Sequence, residues 1–163
     1  IEDESGRSMC GGGIVMQKYV PANGKSSGIP EELNKELIEL CNEWEKYVSL
    51  SGALDGCFAG AAFMYGYLTG DILNAWWDSQ EYGSGEHMTS EIKTQVIAQH
   101  AENMENCRRH TNDKNNMCEK SLANQISPRL TQENNEIHQQ MCTLFTDQYA
   151  IETCNKNLAN KLQ

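Results

Sequence analysis

Residues 52–70 read GALDGCFAGAAFMYGYLTG, the least polar stretch of the chain, with one charge at Asp55 and glycine at 52, 56, 60, 66 and 70. Each glycine inside a helix costs about 0.8–1 kcal/mol relative to alanine, so a helix here has to recover that loss by close packing. Gly56 and Gly60, with Ala53, Ala59, Ala61 and Ala62, leave little side-chain bulk, while Phe58, Phe63, Tyr65 and Tyr67 supply volume elsewhere. The stretch predicts a central buried helix on which the other segments pack. Lining a ligand cavity or meeting a second copy are the other uses of such a surface. Asp55 interrupts the run, which is shorter than the roughly 20 residues of a membrane span.

Upstream, Pro30 suits the first position of a helix, where its missing N–H is not needed. Leu33, Leu37, Leu40, Cys41, Trp44, Tyr47 and Val48 then trace one helical stripe across 31–50, with six glutamates off it, among them Glu36, Glu39 and Glu43. Gly52 is expected to close this helix in a left-handed cap. Residues 1–29 read as an irregular arm, because Gly11-Gly12-Gly13, Asn23-Gly24 and Ser26-Ser27-Gly28 are turn and loop signals. The glycine run lacks the Lys-Ser/Thr of a phosphate-binding loop. The arm and one helical domain over 30–163 are the expected organisation.

Downstream, Asp71 is expected to cap a separate short helix in which Ile72, Leu73, Trp76 and Trp77 share a face. Trp76, Trp77 and Tyr82 form an apolar patch that either closes a core or, if exposed, binds a partner. Thr89 or Ser90 caps the next helix, with Ile92, Val96, His100, Met104 and Cys107 inward and Ile97 and Ala101 beside them. Asp113 is expected to cap a helix burying Met117, Cys118, Leu122 and Ile126, ended by Ser127-Pro128. Thr131 opens one with Ile137, Met141, Leu144 and Phe145. After a break near Tyr149-Ala150, a last helix carries Ile151, Cys154, Leu158 and Leu162. No strand-like alternation persists beyond residue 30. The expected fold is therefore all-α, a single domain of five to seven helices.

Seven cysteines in 163 residues, with no paired Cys-Xaa-Xaa-Cys framework, point to an oxidising compartment, three disulfides and one thiol left over. The expected protein is secreted, its leader already removed. In an antiparallel helix pair, residues equidistant from the turn face one another, and a disulfide needs Cα atoms about 5–6 Å apart. Cys107 and Cys118 flank a polar turn symmetrically, and Cys142 and Cys154 flank the suspected break. Cys41 and Cys57 match a turn at Gly52 poorly. The expected staples are thus 107–118 and 142–154, with Cys10 tied to Cys41 or Cys57. A rival is that Cys10 is the odd cysteine and joins two chains; otherwise a monomer is expected.

A net charge of −10 argues against nucleic acid or an anionic membrane as partner. The zinc-protease, nucleophile-elbow and EF-hand motifs are all missing. Cys107-Xaa-Xaa-His110 with Cys118 has donors for zinc, but a disulfide framework uses the same thiols. No enzyme, metal or cofactor is expected. Two readings remain. In the first, the protein binds another extracellular protein, through the acidic face of Glu36, Glu39 and Glu43 or through the tryptophan patch. In the second, helices enclose a pocket for a small hydrophobic ligand, with Met64, Met104, Met117 and Met141 as adaptable lining. In this class the chain resembles the insect odorant-binding proteins, which are secreted, helical, acidic and six-cysteine. Their pair of cysteines separated by three intervening residues has no counterpart here, so the resemblance assigns no residue a role.

Overall fold

A helix that is apolar on every side has no face to give to water and must be enclosed by its neighbours. The computed structural model places such a helix at the centre. It describes residues 13, 31–46, 52–79, 89–125 and 135–161. Six α-helices are described: α1 (Glu31–Asn42), α2 (Ala53–Ser79), α3 (Ser90–Arg108), α4 (Met117–Gln125), α5 (Asn135–Cys142) and α6 (Gln148–Lys161), with a 3-10 turn over Trp44–Lys46. Among the described residues there is no strand. The fold is all-α.

The 27-residue α2 packs on α3, α4 and α1. Cys57, Phe58, Ala61, Ala62 and Tyr65 are fully buried on it, and Gly56 and Gly60 are buried among them. Asp71 does not begin a new helix: α2 continues through Gly70 and Asp71 to Ser79. One glycine and one aspartate cost a helix only about 1 kcal/mol each or less, too little to end it without a proline. Gly52 does adopt a left-handed φ of 80°, but at the opposite end of the connection from the one expected. Its carbonyl accepts from the Gly56 N–H at 3.2 Å, so it starts α2 rather than closing α1. The α-helical part of α1 stops at Asn42, before the apolar stripe runs out. Ile38 is buried on α1, while Leu40 is only half-buried.

Capping explains the other starts. The Thr89 hydroxyl accepts from the Ile92 N–H at 3.3 Å, as expected for α3. Asp113 accepts from the N–H groups of Met117 and Cys118 at 2.7 and 2.8 Å, reaching across a turn in which Asn116 is left-handed. The break before α6 falls at residues 143–147, so Tyr149 and Ala150 already belong to the first turn of α6. Its N–H groups are capped twice. Asp147 accepts from Ala150, and the buried Glu119 carboxylate, reaching over from α4, accepts from the N–H groups of Thr146 and Asp147 and from the Thr146 hydroxyl.

Three disulfides staple this arrangement: Cys41–Cys57, Cys107–Cys118 and Cys142–Cys154, with Cα separations of 5.6, 5.4 and 5.6 Å. The last two are those the hairpin geometry predicts. The first corrects the expectation, because α1 ends at Asn42 and the connection to α2 is centred well before Gly52. Cys10, with the rest of the 1–29 arm except Gly13, lies outside the described residues. So do Ile126, Ser127-Pro128, Thr131 and Leu162.

Gly60→Leu should destabilise the fold by about 1–3 kcal/mol or more through overpacking. Gly66→Ala should stay within about 1 kcal/mol of the parent, because the atom nearest the new methyl is the carboxamide oxygen of Gln125, a movable side-chain end, while helix propensity improves. Urea unfolding of the two variants checks the contrast; equal loss in both would show that α2 is not packed as described.

Candidate functional site

The turn spacing of α1 sends Leu37, Ile38 and Cys41 inward and leaves Glu31, Glu32, Glu36 and Glu39 in solvent, with Glu43 just beyond the helix end. The three carboxylates singled out in the sequence, Glu36, Glu39 and Glu43, thus lie on one exposed side. Two of them have lysine neighbours: Lys35 stands 3.9 Å from Glu39 and Lys46 2.7 Å from Glu43, all four side chains largely exposed. Such pairs are worth little to stability, so the lysines temper the negative face without fixing it. Glu31 instead reaches Arg109 at 3.1 Å, tying α1 to the end of α3. Trp76 and Trp77 lie on the last turns of α2, but their side chains, and the whole of Tyr82, fall outside the described residues. Tyr149 is the large hydrophobic residue exposed among those described, at 54 %.

The histidines are the chemical groups that sequence reasoning underrated. His100, His110 and His138 are all buried. His110 sits at the start of the α3–α4 turn and inserts against α2: its Nε2 is 3.0 Å from the Tyr65 hydroxyl, and Phe58 meets its ring edge-on at 5.4 Å. Burial, with the charge of Arg109 adding to it, holds the His110 pKa down to about 4. Burial also pushes the Tyr65 phenol well above its usual range. His100 contacts the Phe145 ring edge-on at 5.2 Å. Burial lowers its pKa to about 4 against the pull of the Met141 carbonyl, and the neighbouring His138 adds to the depression. A Tyr–His pair in an open cleft would be a proton-transfer unit. Here both rings are enclosed, so the pair joins α2 to the turn instead.

The six cysteines among the described residues are closed off as thiolates by their disulfides. The zinc set of Cys107, His110 and Cys118 does not form, because Cys107 and Cys118 are bonded to each other. His138, Cys142 and Cys154 bring ligand-type atoms within 4.8 Å of one another in the interior, but those two sulfurs are likewise joined. Polar cross-ties complete the interior: Asn34 donates to Asn106 at 2.8 Å, and Asn103 donates to the Thr69 hydroxyl at 2.9 Å. At the rim, Asn42 donates to the Arg109 carbonyl at 3.2 Å, and the Asn112 side chain donates to the Asn42 carbonyl. None of these asparagines announces itself in sequence, since asparagine is ordinarily a surface residue.

Met64, Met104 and Met141, expected as lining if a pocket existed, are instead packed in the core, and Met117 packs partly buried against it. A concavity does occur elsewhere. An open groove of about 480 Å3 runs between α3 and α5, with Ile97, Ala98 and Ala101 on one wall and Ile137 and Leu144 on the other. Ala101, expected beside the buried stripe, is exposed there.

The fold and these surfaces define a disulfide-stapled helical domain whose described bulky apolar side chains share one core, with exposed glutamates along α1. Comparison with protein-family models, curated proteins and solved structures returns no match.

The two depressed histidines make stability depend on pH with a definite sign. The unfolded chain binds protons near pH 6.5 and the folded chain only near 4, so stability is full above the unfolded value and is lost as pH falls toward 4. Each imidazole should account for a loss on the order of 3 kcal/mol by pH 4. The denaturation midpoint should fall steadily from pH 7 to pH 5, with a shallower acid limb in His110→Gln; a flat profile over that range would contradict the burial described.

Proposed function

We propose that the protein is a secreted, non-enzymatic factor that acts by binding another extracellular protein through its surface. The observation that supports this reading is the packing of the bulky apolar side chains of the described residues into one core cluster. Phe58, Met64, Tyr65, Met104 and Phe145, the bulky side chains best suited to line an internal pocket, are spent on one another, and close-packed cores leave no volume for a guest. Recognition then falls to the exterior. The glutamates of α1 supply a charged face suited to a basic patch on a partner, since charge complementarity raises the rate and selectivity of encounter. Three disulfides support an oxidising compartment for such a factor. Among the described residues no helix is long and apolar enough to cross a membrane.

A second reading, the carrying of a small hydrophobic ligand, is favoured by one observation, the open groove between α3 and α5. It differs from the enclosed pocket anticipated by that reading, because the guest would lie on the surface between two helices.

The partner-binding reading is tested with a panel of purified extracellular domains, scored by biolayer interferometry. A partner should appear whose affinity weakens about tenfold or more in the triple variant Glu36→Gln, Glu39→Gln, Glu43→Gln, and also in raised salt. The triple variant should keep its thermal midpoint, because exposed substitutions shift stability by only about 0.5 kcal/mol. A partner that binds the triple variant equally well would remove the acidic face from the proposal.

A further inference from the structure

The volume of the α3–α5 groove, about 480 Å3, falls within the roughly 300–1,000 Å3 typical of small-molecule sites. The contacts beneath the groove set its direction. His100, midway along α3, meets the Met141 carbonyl and the Phe145 ring. Arg108, at the end of α3, donates to the Leu144 carbonyl at 3.4 Å. Met141 of α5 thus sits at the middle of α3 and Leu144, just past the end of α5, at the end of α3, so the two helices run in the same direction and their first turns lie at the same end. That end carries the charges, Lys93 from α3 and Glu136 from α5, while the far end is apolar with Ala101 and Leu144. Among the described residues no ion pair involves Lys93 or Glu136.

One charge of each sign at one end of an apolar channel selects among amphiphiles. A fatty acid would satisfy Lys93 but bring its carboxylate beside Glu136. An alkylammonium would do the reverse. A head group carrying both charges satisfies both walls, and matched charge at a binding surface favours the complementary partner over singly charged ones. We propose that the groove binds a single-chain zwitterionic amphiphile of the lysophosphatidylcholine class. Its phosphate lies at Lys93, its quaternary ammonium at Glu136, and its acyl chain along Ile97, Ala101 and Leu144. The proposal rests on the ligand-carrying reading and specifies its ligand.

The test uses uptake of the fluorescent probe N-phenyl-1-naphthylamine by the full chain. Displacement is then measured with myristoyl-lysophosphatidylcholine, myristate and tetradecyltrimethylammonium, each below its critical micelle concentration. The lysolipid should displace the probe at a concentration about tenfold lower than either singly charged amphiphile. Lys93→Glu and Glu136→Lys should each erase that preference, toward the cation and the anion respectively. Ala101→Trp, at an exposed position whose substitution leaves the fold intact, should abolish displacement, with the circular-dichroism melt unchanged. No uptake of the naphthylamine by the parent protein removes the ligand-carrying reading and the proposal together. Uptake with equal displacement by all three amphiphiles, or lysolipid binding that survives Ala101→Trp, overturns the proposal while leaving the carrying reading in place.

Discussion

The structure depends on the enclosure of α2. A 27-residue helix whose described faces are almost all apolar has to be covered from several directions, and its surface of alanine and glycine allows neighbouring backbones to come close. Dispersion contacts grow with that proximity, which offsets the propensity lost at each glycine. The roles of the flanking helices follow from it. α1, α3 and α4 each turn a narrow apolar face toward α2 and present polar residues outward, and α5 and α6 complete the layer beyond. Cys41–Cys57 pins the first of these neighbours to the start of the central helix.

Apolar enclosure is non-directional, so it does not by itself choose one rotation of each helix about its axis. Here the choice is made by polar groups taken into the interior. Asn34 with Asn106, Asn103 with Thr69, and Tyr65 with His110 each join two different segments at hydrogen-bonding distance. In a low-dielectric interior a misaligned pair would leave donors and acceptors unsatisfied at a cost of about 1–3 kcal/mol each, so these ties penalise wrong registers more than they reward the right one. Glu119 works the same way at the α5–α6 turn, where one buried carboxylate gathers three donors.

How much of this was legible in the sequence follows from what periodicity can report. The 3.6-residue pattern marks a helix wherever one face is buried, so the stripe through Val96, His100, Met104 and Cys107 and the inward Leu122, Ile137 and Met141 are readable without coordinates. The hairpin staples 107–118 and 142–154 follow from it by symmetry. It does not mark where a helix ends when the apolar stripe outlasts the α-helix, which is why the pattern predicts a longer α1 and disfavours the Cys41–Cys57 pairing that forms. It is also silent inside an all-apolar run, so the continuity of α2 through Gly70 and Asp71 was not visible. Of the candidate surfaces, the exposure of Glu36, Glu39 and Glu43 was readable as the off-stripe positions of α1. The groove was not, because Ala101 reads as a small buried residue until the spacing of α3 from α5 is known.

The disulfides and the buried histidines divide the stabilising work between two levels. Each disulfide closes a short loop, with partners 16, 11 and 12 residues apart, and so holds a helix to its neighbour in sequence. Closing loops of that size stabilises by about 3 kcal/mol each in the chain-entropy account. None of the three joins one hairpin to a distant one. That task falls to the core and to the polar ties, among which His110 links the α3–α4 turn to α2 and His100 links α3 to the α5–α6 turn. Protonating these imidazoles therefore acts on the seams between stapled units and leaves the staples themselves untouched.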